Sequence, residues 1–169
     1  RKAAATICRM LVDSIVKSGS SPSLMIAGDS NDEPDDVSIR KTLGVRSLVN
    51  SGEPVLDSVL YELKSDADKR VRGSLKYRGR WYAYDQIFVS GSLTDSYLPS
   101  SPCMRIYRPD FLIERDDEWT GMRPYRTWRG YKYSGGFSDH LPVYVDLLSV
   151  PTPSLFPASA DGLPHNCSR

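Results

Sequence analysis

A four-residue apolar run, Leu24-Met25-Ile26-Ala27, sits between a helix-period segment and the polar turn Gly28-Asp29-Ser30-Asn31. A run that short reads as a strand, and its unbroken apolar character predicts burial on both faces. Before it, Ala4, Ile7, Cys8, Leu11 and Ile15 recur at helical spacing, which predicts an amphipathic helix over 2–18 with Gly19 as its stop. A helix followed closely by a buried strand selects a layered α/β domain. It also puts Asp29 and Asn31 at the C-terminal end of a strand, where sites on such folds gather.

The rest of the chain continues the alternation. Pro34 and Asp35-Asp36 precede a predicted helix over Val37–Leu43, with a further helix expected within 53–66 around Leu56–Leu63. A basic stretch follows from Lys69 to Arg80. Trp81–Ser90 reads as one strand, with Tyr82, Tyr84, Gln86 and Phe88 on one face and Asp85, Ile87 and Val89 on the other. Strands are also predicted at Cys103–Tyr107 and Leu141–Leu148. Between them, 109–136 reads as a long ordered loop, a length that points to a role. This organisation gives a domain over 1–150 and a loose Pro/Ser-rich tail over 151–169.

Composition excludes several classes. The net charge of +1 gives no overall field for DNA or an acidic membrane, so anion binding must come from a local patch. No apolar run approaches the ~18 residues of a membrane helix. The cysteines Cys8, Cys103 and Cys167 form no CxxC pair, and their odd number favours reduced thiols. No GxSxG elbow marks a nucleophile, so a serine hydrolase built on His140 is a distant reading.

Three constellations can carry chemistry. Asp29 can orient or deprotonate a water, and Asn31 can donate to a phosphate oxygen, although taken alone the four residues read as a turn bonding its own backbone. In Gly135-Gly136-Phe137-Ser138-Asp139-His140-Leu141-Pro142, two glycines permit a close approach and a carboxylate then stands beside an imidazole. Asp85 lies among apolar strand neighbours and is costly to bury unpaired. His140 is its obvious partner, since the only other histidine, His165, lies in the tail. In the basic stretch, Arg78 and Arg80 are candidates to bind a phosphate-rich substrate. A solvated hairpin balanced by the acidic cluster Asp29–Asp36 is an equal alternative. Trp119, Tyr125, Trp128, Tyr131 and Tyr133 could stack on bases, but packing of the long loop is the preferred reading.

Taken together, "LMIAGDSNDEP", "RGRWYAYDQIFVS" and "GGFSDHLPVYVDL" resemble the GDxN, strand-Asp and SDH motifs of the endonuclease/exonuclease/phosphatase superfamily, over roughly 1–148. The resemblance implies the second half of a four-layer α/β/β/α sandwich, with mixed, mostly antiparallel sheets flanked by helices. It implies metal-dependent hydrolysis of a phosphodiester or phosphomonoester by an activated water. In that scheme Asp29 positions the water and Asn31 holds the phosphate. Asp139 lies close to the metal, His140 binds a phosphate oxygen or moves a proton, and Asp85 orients His140. The metal is expected to be Mg2+ or Mn2+, because the ligands are hard oxygens.

The departure concerns the first half of the fold. In the family that half supplies a metal-binding Asn and Glu and a further His. Here Glu53, Glu62, Glu114 and Glu118 stand outside the right context. The chain opens on Arg1, directly inside the helix-period segment, so an upstream half is the expected partner. The polypeptide alone is then expected to be inactive, with an apolar face uncovered. The alternative is a non-catalytic copy or binding module.

Overall fold

The computed structural model describes residues 1–19, 22–48, 54–66, 70–99 and 102–148. The expected tail over 151–169, together with Lys69 and Glu53, lies outside these residues. In chain order the elements are helix α1 (Lys2–Lys17), strand β1 (Met25–Asp29), a π-helical turn (Ser38–Leu43), and strands β2 (Arg46–Ser47), β3 (Leu60–Glu62) and β4 (Lys64–Ser65). The β5–β6 hairpin (Leu75–Tyr77, Arg80–Tyr82), β7 (Asp85–Ser90), α2 (Gly91–Tyr97) and β8 (Cys103–Ile106) follow. Then come a 3-10 turn (Asp110–Leu112), β9 (Ile113–Arg115), β10 (Met122–Pro124), β11 (Trp128–Arg129), β12 (Lys132–Tyr133) and β13 (Val143–Tyr144). The fold is a mixed α/β arrangement with several sheets and few helices.

One sheet has the order β1-β7-β3-β2, and a second has the order β13-β8-β4. Both contain antiparallel and parallel neighbours: β7 runs antiparallel to β1 and β3, while β2 is parallel to β3 and β4 to β8. The chain changes sheets between β3 and β4, at Leu63, whose N–H still donates to the Ile87 carbonyl at 3.2 Å. Strand β7 is the spine. On one face Phe88 joins Leu60, Ala5, Val12, Ile39 and Leu43 in a core shared with α1 and the π-helical turn. On the other, Ile87 and Val89 pack with Tyr61, Leu93, Leu98 and Met104, and Val143 leans on that core from the second sheet.

Several expectations are corrected. The doubly buried strand is β7, while β1 is an edge strand of its sheet whose Met25, Ala27 and Asp29 are exposed. Helix α1 forms as expected, but with two apolar stripes. Ala5, Cys8, Val12 and Val16 face the core, whereas Ile7, Leu11 and Ile15 are exposed. A single helical period cannot say which of two such stripes is covered. The helix expected around Leu56–Leu63 is replaced by β3 and β4, because those residues pair with β7 and β8. The strand expected over Trp81–Ser90 is broken into β6 and β7, and α2 was not anticipated. The last strand shrinks to Val143–Tyr144, and the long loop contains two short hairpins, β9–β10 and β11–β12. Cys103 is disulfide-bonded, against the expectation of reduced thiols, while Cys8 is free.

The β5–β6 hairpin is fixed to the segment after β9 by an ion pair. Lys76 Nζ lies 2.8 Å from Asp116 Oδ2, with both side chains 3% exposed. Burial pushes the Asp116 carboxyl up, but the bonds from Lys76 and the Trp119 N–H, with Arg123 nearby, outweigh it and hold the group below its ordinary range. A carboxyl depressed in the folded state stabilises above its unfolded value. That contribution is therefore complete at neutral pH and is lost only as pH falls through the lowered value.

Two outcomes follow for chemical denaturation of the 169-residue chain. Val12→Ala, at a position 4% exposed, should lower stability by about 2 kcal/mol, while Leu11→Ala, at 60%, should stay within about 0.5 kcal/mol. Equal losses would show that the outer stripe of α1 is covered. Lys76→Met should remove about 3 kcal/mol by leaving Asp116 short of a partner, against less than about 1 kcal/mol for Arg129→Ala, whose pairs with Asp117 and Glu114 lie nearer solvent.

Candidate active site

The register of β1 and β7 places Asp29 directly opposite Asp85. Residues paired this way project to the same face, so two carboxylates are neighbours at the end of the sheet. Like charges there are unfavourable unless each is compensated, and each is. Asp29 Oδ1 accepts the Asn31 N–H at 2.8 Å and its Oδ2 accepts the Asn31 side-chain amide at 3.0 Å. This is the self-bonded turn weighed for Gly28–Asn31, with Asn31 at φ 52°, a conformation that asparagine tolerates. Both residues are exposed, and the Asn31 amide is committed to Asp29.

Asp85 is compensated from the other end of the chain. His140 Nδ1 lies 2.6 Å from Asp85 Oδ2, with side-chain exposures of 25% and 16%. An ionised carboxylate only accepts, so Nδ1 carries the hydrogen and Nε2 is the free nitrogen. His140 reaches this position through a β-bridge to Leu75, and the Leu141 N–H donates to the Ser74 carbonyl at 2.8 Å. The Ser138 hydroxyl accepts the His140 N–H at 3.1 Å. The preceding glycines allow the loop its path. A Cβ on Gly136 would stand 2.2 Å from the Tyr125 carbonyl oxygen.

Two further residues hold the site, and sequence reasoning did not name them as such. Ser74, itself buried, donates its hydroxyl to Asp85 Oδ2, the same oxygen that meets His140. Gln86, buried on β7, donates to the Ser30 hydroxyl and to the Asp32 carbonyl, both at 2.7 Å, and so anchors the turn that carries Asp29 and Asn31. Ser74 carries no signal in sequence, because isolated serines are common. Gln86 shared a strand face with Tyr84 and Phe88, and that was the available hint.

The remaining candidates are dispersed. Asp139 is exposed and has no hydrogen bond or ion pair among the described residues. Arg80 stacks over Tyr82 at 4.9 Å and lies 3.7 Å from Glu33, so it meets the acidic cluster as the balanced-hairpin alternative had it. Arg78 occupies the hairpin tip at φ 48°. Lys76 is withdrawn into its ion pair. Of the loop aromatics, Tyr125 packs near Phe137 and donates to the Ser134 carbonyl. Trp119, Trp128, Tyr131 and Tyr133 are exposed, although Trp128 and Tyr133 pack edge to face across the β11–β12 hairpin at 5.2 Å. Among the described residues no three Asp, Glu, His or Cys side chains gather where a metal could sit. No helix among them is long and apolar enough to cross a membrane.

The fold therefore brings together a strand-end carboxylate, an Asp–His pair and an adjacent amide, drawn from residues 29–31, 85 and 140. No curated protein and no solved structure gives a significant match to the chain. A profile of the endonuclease/exonuclease/phosphatase family matches residues 1–149, which is most of its length. The chain belongs to the endonuclease/exonuclease/phosphatase family.

Proposed function

We propose that this site hydrolyses phosphate esters, phosphodiester or phosphomonoester, by attack of an activated water. The family's general chemistry is hydrolysis of the phosphoesterase and nuclease type. The observation that carries the reading is the Asp85–His140 contact, seated beside Asp29 by strand register. With Nδ1–H held by Asp85, Nε2 of His140 accepts a proton and, once protonated, donates to a phosphate oxygen. Asp29, at the mouth of the strand, orients the water. Asn31 rests on Asp29 and turns to the phosphate when substrate arrives. Ser74 and Gln86 are positioning residues. Ser74 fixes the Asp85 carboxylate, and Gln86 fixes the turn.

A divalent cation, Mg2+ or Mn2+, belongs to this proposal. The carboxylates of Asp29 and Asp139 are hard oxygen donors of the right type. They do not amount to a full set, because no three candidate ligands converge among the described residues. Asp139, exposed and uncommitted, is the donor available to such an ion. When bound, the ion would polarise the phosphoryl group and offset developing charge.

The reading extends to the fold. The exposed stripe Ile7, Leu11, Ile15 on α1 and the open face of Met25 and Ala27 on β1 are apolar surface of the kind that another part of a domain covers. We take the described elements as the second half of a four-layer sandwich. A first half would cover this surface and bring the missing ligands. A non-catalytic module is the second reading, favoured by the incomplete donor set alone.

The test is hydrolysis of bis(4-nitrophenyl) phosphate and 4-nitrophenyl phosphate with added Mg2+ or Mn2+, by the 169-residue chain and by any longer product of its gene. Activity should be absent or weak in the former and chelator-sensitive in the latter. His140→Ala, Asp85→Asn and Asp29→Ala should each lower kcat by roughly 10²–10⁴-fold, the weight of positioned acid–base catalysis. A His140→Ala enzyme with undiminished kcat would sink the proposal. A longer product that binds these esters without turning them over would establish the non-catalytic module.

A further inference from the structure

A cleft of about 890 Å³ opens between the tip of the β5–β6 hairpin and the segment around Asp116–Gly130. None of the residues assigned to hydrolysis lines it. Backbone contacts nevertheless tie it to them. The Arg126 carbonyl accepts the Gly136 N–H at 3.2 Å, on the loop that delivers Asp139 and His140. Arg126 Nη2 donates to the Lys76 carbonyl at 2.6 Å, on the strand whose Leu75 bridges His140. The cleft is thus one strand and one loop away from the Asp–His pair.

Its charges divide into spent and unspent. Lys76 and Arg123 share Asp116, and Arg123 and Arg129 share Glu114 and Asp117. Arg78 and Arg126 also line the cleft, and neither has a carboxylate partner among the described residues. The Nε of Arg126 is buried without a hydrogen-bond partner among the described residues, and its Nη2 is held by the Lys76 carbonyl, which fixes the guanidinium at the wall of the cleft. The Arg78 guanidinium lies 5.2 Å from the Tyr77 ring centroid, which leaves its edge available. Glu118, exposed, is the opposing carboxylate on the rim.

The wall beside these cations is flat and apolar. Trp119 is 49% exposed and lies against Gly79 so closely that a Cβ there would come within 2.9 Å of the ring. The glycine is what lets the indole rest on the hairpin tip. Two guanidinium groups without a carboxylate partner among the described residues, beside an open indole, suit an anion carried on a small organic frame. Carboxylate and phosphate both fit such donors. A phosphate is the group that the proposed reaction already requires the substrate to carry.

We propose that this cleft is a specificity subsite that takes a second phosphate of the substrate, one that is not cleaved, on Arg78 and Arg126 with Trp119 against the connecting frame. The inference rests on the hydrolytic reading above and names the substrate class for it: an ester bearing at least two phosphates. The second phosphate can belong to a small bisphosphate or to the next unit of an oligonucleotide.

The experiment compares kcat/KM for 4-nitrophenyl phosphate, a nucleoside 3',5'-bisphosphate and a short single-stranded oligonucleotide. It uses the active form of the enzyme and its Arg78→Gln, Arg126→Lys and Trp119→Ala variants. The ratio of a two-phosphate substrate to the single-phosphate ester should fall about tenfold in Arg78→Gln, the weight of one charge-assisted hydrogen bond. A fall for the bisphosphate alone identifies a small-molecule source, and a fall for the oligonucleotide alone identifies a chain. An unchanged ratio for both overturns the inference. Binding of inorganic pyrophosphate, followed by tryptophan fluorescence, keeps the two proposals apart, since it needs no turnover. Pyrophosphate should bind the wild type and His140→Ala alike and bind Arg78→Gln about tenfold more weakly. No binding, or binding that Arg78→Gln and Arg126→Lys leave intact, would overturn the subsite whether or not the protein hydrolyses esters.

Discussion

The contact between Asp85 and His140 ties together residues 55 positions apart in sequence, and much of the molecule is arranged around making it possible. Asp85 opens β7, the strand that is buried on both faces and shared by two cores. A carboxylate there would be costly without partners, and it has two on one oxygen, His140 and Ser74. The same serine accepts the backbone N–H that follows His140. Side chain and main chain therefore close one small ring, in which the fold of β5 and the orientation of the imidazole cannot vary independently.

What sequence could say depended on whether the signal was local. The pairing of Asp85 with His140 was legible, because an acid inside an apolar strand demands a partner and only one histidine lay within the domain. The turn after β1 was legible for the same kind of reason, since Asp29 and Asn31 have strong local preferences. Burial was not. Leu24–Ala27 looks like a central strand, yet the sheet ends at β1, and the strand that carries both cores is β7, whose alternation of Phe88 against Ile87 and Val89 was legible but whose burial on both faces was not. Helix α1 shows the same limit, because its residues satisfy helical spacing on two stripes and only tertiary packing selects Ala5, Val12 and Val16. Leu56–Leu63 was misread because short mixed segments follow their partners rather than their propensity.

Ser74 and Gln86 mark a second limit. Both are small contributors by composition and both are buried, and their importance lies in what they bond. Ser74 reaches across 11 residues to Asp85 and Gln86 across 54 to Asp32. Such contacts have no period and no motif. They become visible only when strands are placed, which is why the chemical groups of a site are often readable before the groups that hold them.

The opposition of Asp29 and Asp85 argues for function over stability. A protein under selection for stability alone would not set two acids directly across an antiparallel pair. Here the cost is contained rather than removed, with Asn31 on one carboxylate and Ser74 and His140 on the other. Asp29 remains exposed at the strand mouth while Asp85 is half-buried, so the two acids have different surroundings, as the roles proposed for them require. The outer face of α1 makes a parallel point about packing. Apolar residues at 7, 11 and 15 are exposed among the described residues, a cost that the proposed first half of the domain would remove by covering them.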